Sequence, residues 1–330
     1  MTLHRIHQAC AGRLVASVFI MHTAVSPTAA QPYPSQTIRI VVGAAAGTPP
    51  DIVTRIVANQ LSESEGWRIV VENKPGAMTT LAASEVLRQS GDGYSILPIT
   101  LSSTVGATLL PNAGVQFQVD FVPVIKLATA YHVLVVNPTL PVKSMTELIT
   151  LLKQHPDKLT FSSAGFGTPA HMAGELFKLQ TGVRATHVPY QSLARAIADL
   201  ISGTNQYQFI TPLPVLDLIA TGKLRALVVT SPERMPALRE VSTVVEAGFP
   251  QLIIQDWNGF VVKRGTPETV VNRLNLAINK VLETPKARDA IAKLSAEAAG
   301  GSPGEFGSHL AAQIEHWTKV VNESGMKMHQ

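Results

Sequence analysis

The hydrophobic pattern along the chain alternates between two periods. Short runs rich in β-branched residues, typical of buried strands, alternate with segments whose apolar residues recur every three or four positions, typical of amphipathic helices. The runs predict strands over residues 38–42, 69–71, 95–99, 133–136, 161–163, 186–188 and 226–229. The helical spacing predicts helices over residues 51–62, 144–153, 169–179 and 192–201. This alternation predicts an α/β protein built from βαβ units.

Helix-capping residues support several of these boundaries. Ser144, followed three residues later by Glu147, has the pattern of a capping box. Thr266-Pro267 and Ser302-Pro303 each place a hydroxyl before a proline at the first helical position, so the C-terminal part is predicted to be helical. No sequence repeat and no Pro/Gly/Ser-rich linker divides the chain. We therefore expect any second domain to be inserted into the first.

Two loops differ from ordinary connections because they consist almost wholly of small residues. Residues 42–51 join the first strand to the first helix, and residues 162–169 lead into the helix that carries His171. Strand ends and helix N-termini of this kind collect ligands in open α/β sheets and favour a carboxylate or phosphate. Each loop could also be a simple tight turn. His171 could equally pack against its loop, and Asp51 is expected to be a first-turn helical residue rather than an acid catalyst.

The first thirty residues have the pattern of a secretory signal peptide. Arg5 and Arg13 precede an apolar run over residues 14–25, and small residues follow up to Ala30. We predict cleavage after Ala30 and export, with a single membrane anchor as the less favoured alternative because the run is short. Cys10, the one cysteine of the sequence, lies in this segment. The mature chain is therefore expected to have no disulfide and no cysteine-based site.

Composition and motifs exclude several functional classes. The chain has 330 residues, of which 45% are hydrophobic and 15% charged, which is typical of a globular protein of about two domains. Its net charge of +4 falls to +2 without Arg5 and Arg13, and no basic cluster is present, so we expect no nucleic-acid partner. Dinucleotide and phosphate-loop fingerprints, catalytic motifs and metal-ligand spacings are missing. We therefore expect no cofactor and no metal, while a secreted hydrolase built from dispersed residues stays an alternative.

Seven segments, in the correct order, resemble the pattern of one known family. They are Val42, Gly47 and Asp51; Glu72-Asn73-Lys74-Pro75-Gly76-Ala77; Gly91-Asp92-Gly93-Tyr94; Ser163, Gly165, Gly167, His171, Glu175 and Leu176; Val188-Pro189-Tyr190; Asp199-Leu200; and Gly222-Lys223-Leu224-Arg225-Ala226-Leu227. Together they resemble the Bug family, the periplasmic solute-binding receptors of tripartite tricarboxylate transporters. The likeness covers nearly the whole mature chain.

The resemblance implies a two-lobed periplasmic-binding-protein fold of type II, a Venus flytrap, with each lobe a mainly parallel sheet flanked by helices. Lobe 1 would comprise residues 31–124 and 231–330, and an inserted lobe 2 residues 125–230. It also implies a non-catalytic monomer that captures a small carboxylate between the lobes and delivers it to the membrane components of a transporter. Carried over by position, the ligand-binding residues would be Ala46, Gly47, Thr48, Ser102, Ser103, Ser163, Ala164, Thr168, His171 and Tyr190.

The first loop departs from the family pattern. Gly43-Ala44-Ala45-Ala46 replaces P-F-P-P and Thr48 replaces a glycine, so we expect a roomier and more mobile loop. No charged side chain lies between Gly43 and Pro50 or between Ser162 and Ala170. We therefore expect a mono- or dicarboxylate rather than citrate, whose three charges would lack cationic partners. A receptor that serves a membrane sensor through the same fold is the alternative function.

Overall fold

The computed structural model describes residues 33–326. The predicted signal peptide and Cys10 lie outside the described residues. The strands are β1 (Ile38–Val42), β2 (Ile69–Asn73), β3 (Ser95–Thr100), β4 (Phe121–Tyr131), β5 (Val133–Val136), β6 (Thr160–Ser163), β7 (Thr186–Pro189), β8 (Tyr207–Ile210), β9 (Arg225–Val229), β10 (Gln255–Lys263) and β11 (Ala296–Gly300). The helices are α1 (Pro49–Glu65), α2 (Thr80–Leu87), α3 (Leu101–Leu109), α4 (Phe117–Asp120), α5 (Met145–Gln154), α6 (Pro169–Thr181), α7 (Leu193–Ser202), α8 (Leu216–Ala220), α9 (Glu268–Glu283), α10 (Pro285–Ala292) and α11 (Pro303–Ser324).

The strands form two sheets. The first has the order β11-β4-β10-β3-β1-β2, and the second has the order β7-β6-β8-β5-β9. β1 pairs in parallel with β2 and β3, as βαβ units require, whereas β10 runs antiparallel to both β3 and β4. In the second sheet β6 pairs in parallel with β7 and β8, while β5 runs antiparallel to β8 and β9. The predicted α/β class is confirmed, but the sheets are mixed rather than mainly parallel.

The strands that the sequence pattern missed include those that make the first sheet mixed. β4 contains Pro123 and Lys126, which interrupt its apolar run, and β11 is rich in alanine, which has low β propensity. β8 is four residues long and includes Gln208, while β10 contains Gly259. Hydrogen bonds to neighbouring strands stabilise each of these segments as a strand, so tertiary context overrides a weak local signal.

The chain passes from the first sheet to the second between β4 and β5. β4 keeps its pairing with β10 up to Tyr131, so the crossover predicted between residues 124 and 125 lies within this strand. We therefore propose that the inserted lobe begins at about Val133, the first residue of β5, and ends after Val229, the last residue of β9. Three segments meet side by side at this crossing. The hydroxyl of Thr230 accepts the N–H of His132 at 2.9 Å and donates to the carbonyl of Ile254 at 2.9 Å.

The largest cluster of buried apolar side chains includes residues from both sheets, such as Leu97 and Val261 of the first and Leu134 and Phe161 of the second. A second cluster packs α1 and α9 against the other face of the first sheet, and a third fills the space between the second sheet and the α7–α8 region. α11 packs on α3 and β4 and also contacts α6. Within residues 33–326 no helix combines the length and the apolar character needed to cross a membrane.

The predicted helix caps are confirmed in two of three cases. Ser144 accepts the N–H of Glu147 at 3.2 Å, but its predicted capping box is incomplete, because the Glu147 carboxylate accepts the N–H of Lys143 instead. Ser302 forms a complete capping box with Glu305. The prediction for Thr266 is wrong. Its hydroxyl donates to the carbonyl of Lys263 at 2.8 Å, so it closes the preceding turn and the helix begins after Pro267 without a side-chain cap.

Candidate functional site

A cavity of about 530 Å³ lies between the two sheets, at the ends of β1, β3, β6 and β8. The first sheet and its loops contribute Val42, Gly43, Ala44, Thr48, Pro49, Pro50, Gly76, Met78, Thr79, Pro98, Thr100 and Ser102. The second sheet and its loops contribute Ala164, Phe166, Thr168, Pro169, Ala170, Leu193, Gln208, Ile210 and Thr211. His132 and Asp256, close to the crossing between the sheets, complete the lining. Both loops singled out from the sequence therefore face the same cavity.

The first loop is anchored from behind by Asp51, a buried residue in the first turn of α1. Its carboxylate accepts the N–H of Gly47 at 2.9 Å and pairs with Arg55 at 3.0 Å. Asn73 donates to the same carboxylate at 2.8 Å and to the carbonyl of Ala44 at 3.0 Å. Burial opposes ionisation of Asp51, but the hydrogen bonds from Arg55, Gly47 and Asn73 hold its pKa below the usual value. Asp51 is thus a structural residue of the helix start, as expected.

The second loop is anchored by His171, which is also buried. Nδ1 of His171 accepts the N–H of Gly167 at 3.0 Å, so its ring lies behind the loop and outside the cavity lining. The ring stacks on His187 with centroids 3.8 Å apart, and Phe166 packs against it at 4.6 Å. Burial, and secondly the neighbouring His171, lower the pKa of His187 to about 3, so the His187 ring is packed as a neutral aromatic group at neutral pH.

A short segment beside the first loop has an unusual backbone. Ala77, Met78 and Thr79 all have positive φ, at 46°, 50° and 79°. Left-handed conformations are costly for residues with a Cβ and are concentrated at functional sites. Thr79 approaches Gly43 so closely that a Cβ on Gly43 would lie 2.6 Å from its methyl group, which explains a glycine there. Met78 reaches across to Gly167, so this segment connects the two walls of the cavity.

The electrostatics of the cavity are set by dipoles and one carboxylate. No lysine or arginine is among its lining residues in the described part of the chain. Burial raises the pKa of Asp256 to about 7, against the effect of the Trp257 N–H that its carboxylate accepts at 2.8 Å. Burial lowers the pKa of His132 to about 4, which keeps this ring neutral. Among residues 33–326 there is no group of three or more His, Cys, Asp or Glu side chains that could hold a metal ion.

The predicted ligand-binding residues separate into two groups. Thr48, Ser102, Ala164 and Thr168 line the cavity. The others lie outside its lining: Ala46, Gly47, Ser103, Ser163, His171 and Tyr190.

Residues of the second group have structural partners. Ser103 is fully buried and donates to Thr79 at 3.0 Å, and the Ser163 hydroxyl lies 2.7 Å from Nε2 of His187. The Tyr190 hydroxyl donates to Asp199 at 2.8 Å. The role of this second group in ligand binding stays a prediction.

Several lining residues escaped the sequence reasoning. Phe166 supplies from the second loop an aromatic wall, a feature that the first loop lacks. Gln208 and Asp256 lie in strands that the pattern did not predict, and His132 lies between two strands. The available signal was a polar residue within an apolar run, as Gln208 is in Tyr-Gln-Phe-Ile. Such a residue must find a partner or face a ligand when it is buried.

Comparisons with known proteins identify one family of receptors. The family model described as "Tripartite tricarboxylate transporter family receptor" matches residues 53–326. Protein BugT of Bordetella pertussis is 30% identical to this chain over 317 residues, which cover 95% of this chain and 97% of BugT.

Two solved structures with bound ligands are also similar. Rpa4515 of R. palustris, solved with adipate, is 32% identical with a TM-score of 0.79, over 89% of this chain and 99% of that one. MatC (Rpa3494) from Rhodopseudomonas palustris, solved with bound malate, is 29% identical with a TM-score of 0.76, over 88% of this chain and 100% of that one.

Proposed function

Since the chain belongs to the Bug family of tripartite tricarboxylate transporter receptors, we propose that it is a periplasmic solute-binding receptor that captures a small mono- or dicarboxylate. Its ligand is held in the cavity between the two sheets and is then delivered to the membrane components of a transporter. Adipate in Rpa4515 and malate in MatC support a carboxylate as the ligand class.

The observation that carries this proposal is a set of free backbone donors in a cavity without cations. Ala44, Ala164 and Ala170 line the cavity, and their N–H groups donate no hydrogen bond within residues 33–326. The hydroxyls of Ser102 and Thr168 lie in the same lining. Backbone N–H groups and hydroxyls can hold one or two carboxylates, whereas a trianion would need arginine or lysine to offset its desolvation.

The N-terminus of α6 is the stronger anchor of the two helix starts. Both helices begin with a threonine cap followed by proline, but α1 has a second proline, Pro50, at the position that Ala170 occupies in α6. Proline has no N–H, so only α6 offers a donor at its second helical position. We therefore assign the ligand carboxylate to Ala170 and the start of α6, where the helix dipole also favours a negative charge.

The geometry favours binding over hydrolysis. Ser163 and His187 have the spacing of a nucleophile and its base, at 2.7 Å. However, Ser163 is fully buried and lies outside the cavity lining. The low pKa of His187, caused first by burial, also makes it a weak base. We assign this pair to positioning the second loop.

Ligand-dependent unfolding of the mature chain, residues 31–330, tests the proposal. A ligand that binds the native state alone raises the unfolding midpoint, so a panel of mono-, di- and tricarboxylates and of neutral solutes should show shifts with the first two classes. Calorimetry then gives the affinity of the best ligand. No shift with any carboxylate, or tighter binding of citrate than of every dicarboxylate, would contradict the proposal.

A matched pair of substitutions locates the carboxylate. Ala170→Pro removes the N–H of Ala170 and copies the start of α1, so it should weaken binding by about tenfold while the helix is retained. Pro50→Ala makes the reverse change in α1 and should leave affinity nearly unchanged. Equal effects of the two substitutions would show that the carboxylate does not bind at α6.

The membrane partner needs a separate experiment. Loaded and ligand-free receptor can be compared for capture of the transporter's membrane subunits in detergent. Capture of a sensor protein instead would support the alternative function.

A further inference from the structure

Three polar residues of the cavity lining come from separate segments of the chain: His132 lies between β4 and β5, Gln208 in β8 and Asp256 in β10. Asp256 is in β10, two residues after Ile254. The hydroxyl of Thr230 links the carbonyl of Ile254 to the N–H of His132. Gln208 is in β8 of the second sheet, and its Oε1 accepts the hydroxyl of Ser162 at 3.1 Å. All three residues line the cavity. We call His132, Gln208 and Asp256 the floor subsite.

Two atoms of the floor subsite are buried without a partner. Gln208 is 0% exposed and His132 is 3% exposed, yet Nε2 of Gln208 and Nδ1 of His132 make no hydrogen bond in the described part of the chain. An unsatisfied buried polar atom costs about 1–3 kcal/mol, so its retention at a cavity wall indicates a ligand partner. Asp256 adds an acceptor, because its carboxylate accepts one hydrogen bond within residues 33–326, from the Trp257 N–H.

The donors and acceptors of the floor subsite select one kind of chemical group. Gln208 offers an N–H donor, while the Asp256 carboxylate offers an acceptor. A hydroxyl group can accept from the first and donate to the second, whereas an ionised carboxylate can only accept and would be repelled by Asp256. No lysine or arginine in the lining offsets that repulsion.

We propose that the floor subsite binds a hydroxyl group of the ligand, so that the receptor prefers a hydroxymonocarboxylate to the dicarboxylate of equal length. This inference rests on the proposed function and narrows it. The carboxylate lies at the start of α6, and the hydroxyl group lies between Gln208 and Asp256. Asp256 is thereby a specificity-determining residue.

The charge of Asp256 depends on few neighbours. His132 is the other titratable side chain in the cavity lining. The elements packed against β10 carry Lys126 and Tyr131 on β4, Glu85 and Arg88 on α2, and Glu305, His309, Glu315, His316, Lys319 and Glu323 on α11. None of these side chains forms an ion pair or hydrogen bond with Asp256 in the described residues. Burial raises the pKa of Asp256 to about 7, so its charge develops near neutral pH.

The test compares three matched ligand series of equal chain length by calorimetry. The series are unsubstituted monocarboxylates, their terminal hydroxy derivatives and the corresponding dicarboxylates. Each is measured with the native chain, with Asp256→Asn, and with Asp217→Asn as the matched control. Asp217 is exposed and outside the cavity lining, so this control makes the same chemical change elsewhere.

The native chain should bind the hydroxy acid at least about tenfold more tightly than the dicarboxylate at about pH 8.5, where Asp256 is ionised. At about pH 6 protonated Asp256 can donate to a carboxylate, so the preference should shrink. Asp256→Asn should strengthen dicarboxylate binding at the higher pH by about tenfold. It should also remove the pH dependence of the ratio between the affinities for the hydroxy acid and the dicarboxylate. Asp217→Asn should behave as the native chain does.

The outcomes separate the two proposals. If carboxylates bind but Asp256→Asn leaves the ratio and its pH dependence unchanged, the floor subsite is refuted and the proposed function stands. If no carboxylate of any series binds the native chain, the proposed function fails and the inference fails with it. Unfolding midpoints of the variants show whether they are folded. Gln208→Met removes the donor of the subsite, together with the acceptor of the Ser162 hydroxyl, and should also reduce the preference for the hydroxy acid.

Discussion

The two junctions at which loops enter α1 and α6 share one backbone design, although they belong to different sheets. Each reads Gly-Thr-Pro, at residues 47–49 and 167–169. The glycine φ angles are 78° and 71°. The threonine hydroxyls donate to carbonyls three residues earlier, Thr48 at 2.6 Å and Thr168 at 2.7 Å. In both, the glycine N–H donates to a side chain four residues later.

The junctions differ in the side chain that accepts this N–H. At α1 it is the carboxylate of Asp51, whose charge is balanced by Arg55. At α6 it is the ring nitrogen of His171, packed among Phe166 and His187. The Asp51 carboxylate lies at the positive N-terminal end of α1 and disfavours the binding of a second anion there. The His171 side chain at the start of α6 carries no negative charge and has no such effect. The same backbone therefore gives one junction that is electrostatically satisfied and one that is open to an anionic ligand.

The largest expected effect is on stability and comes from removing the two anchors. Asp51→Ala leaves Arg55, the amide of Asn73 and the N–H of Gly47 without their acceptor, so we expect a loss of about 3 kcal/mol in unfolding free energy. His171→Ala removes one such bond and some ring packing, so we expect about 2 kcal/mol. Urea unfolding of both variants measures the difference.

The pH dependence of unfolding provides a control for the effect of Asp51→Ala. The folded-state pKa of Asp51 is lowered, so its contribution is present above the unfolded-state pKa and is lost as the pH falls through the folded value. The gap between native chain and Asp51→Ala should therefore narrow in acid below about pH 4. A gap that stays constant down to about pH 2 would mean that packing, not charge, holds this junction.

The second expected effect is a difference in stability between Gly47→Ala and Gly167→Ala. Gly47→Ala meets open space and should cost only the strain of a positive φ, about 1 kcal/mol. A Cβ on Gly167 would lie 2.7 Å from Sδ of Met78, so Gly167→Ala should cost about 2 kcal/mol. Adding Met78→Ala should remove the extra cost of Gly167→Ala, but not change that of Gly47→Ala. Additive losses in this double-mutant cycle would refute the contact between the walls.

The third effect is a pH response of the second junction. The pKa of His187 is lowered to about 3 by burial and by His171, so the unfolded chain binds a proton there that the folded chain rejects. Stability then falls as the pH drops below the unfolded-state value of about 6.5, by up to about 1.4 kcal/mol per pH unit for this group. His132 and His309 add to the native slope, since burial lowers their pKa values to about 4 as well.

His187→Gln isolates the contribution of one histidine. Glutamine can keep a hydrogen bond to Ser163 and does not titrate, so the slope between about pH 6.5 and pH 5 should decrease by the equivalent of one proton. Identical slopes in the native chain and the variant would show that His187 binds a proton equally well in the folded and unfolded chains.

The sequence could predict most of the fold because its strongest signals are local. The strands rich in β-branched residues, such as β1 and β5, and the amphipathic α5 and α7 were predicted within a few residues. The predicted Bug family and α/β class are confirmed. β4, β10 and β11 were missed because their pairing partners lie far away in sequence, and these strands decide that the first sheet is mixed.

The candidate site was predicted less completely, for a physical reason. The loops could be found from their small residues, and Thr48 and Thr168 do line the cavity. Whether a loop residue faces the cavity or the core depends on contacts made by distant segments, as for Ser103 and His171. Gln208 and Asp256 line one cavity although their strands, β8 and β10, belong to different sheets, and no local pattern encodes that arrangement.

The smallest expected effect concerns the two threonine caps. Both hydroxyls donate to a carbonyl, but only the hydroxyl of Thr168 also accepts a helical N–H, that of His171 at a long 3.5 Å. Thr48→Val and Thr168→Val should each destabilise the chain, and the second by about 0.5 kcal/mol more, because the long cap bond is weak. Urea unfolding of ligand-free protein measures both losses. Equal losses would mean that this bond adds nothing, and that the two junctions differ in their anchoring side chains alone.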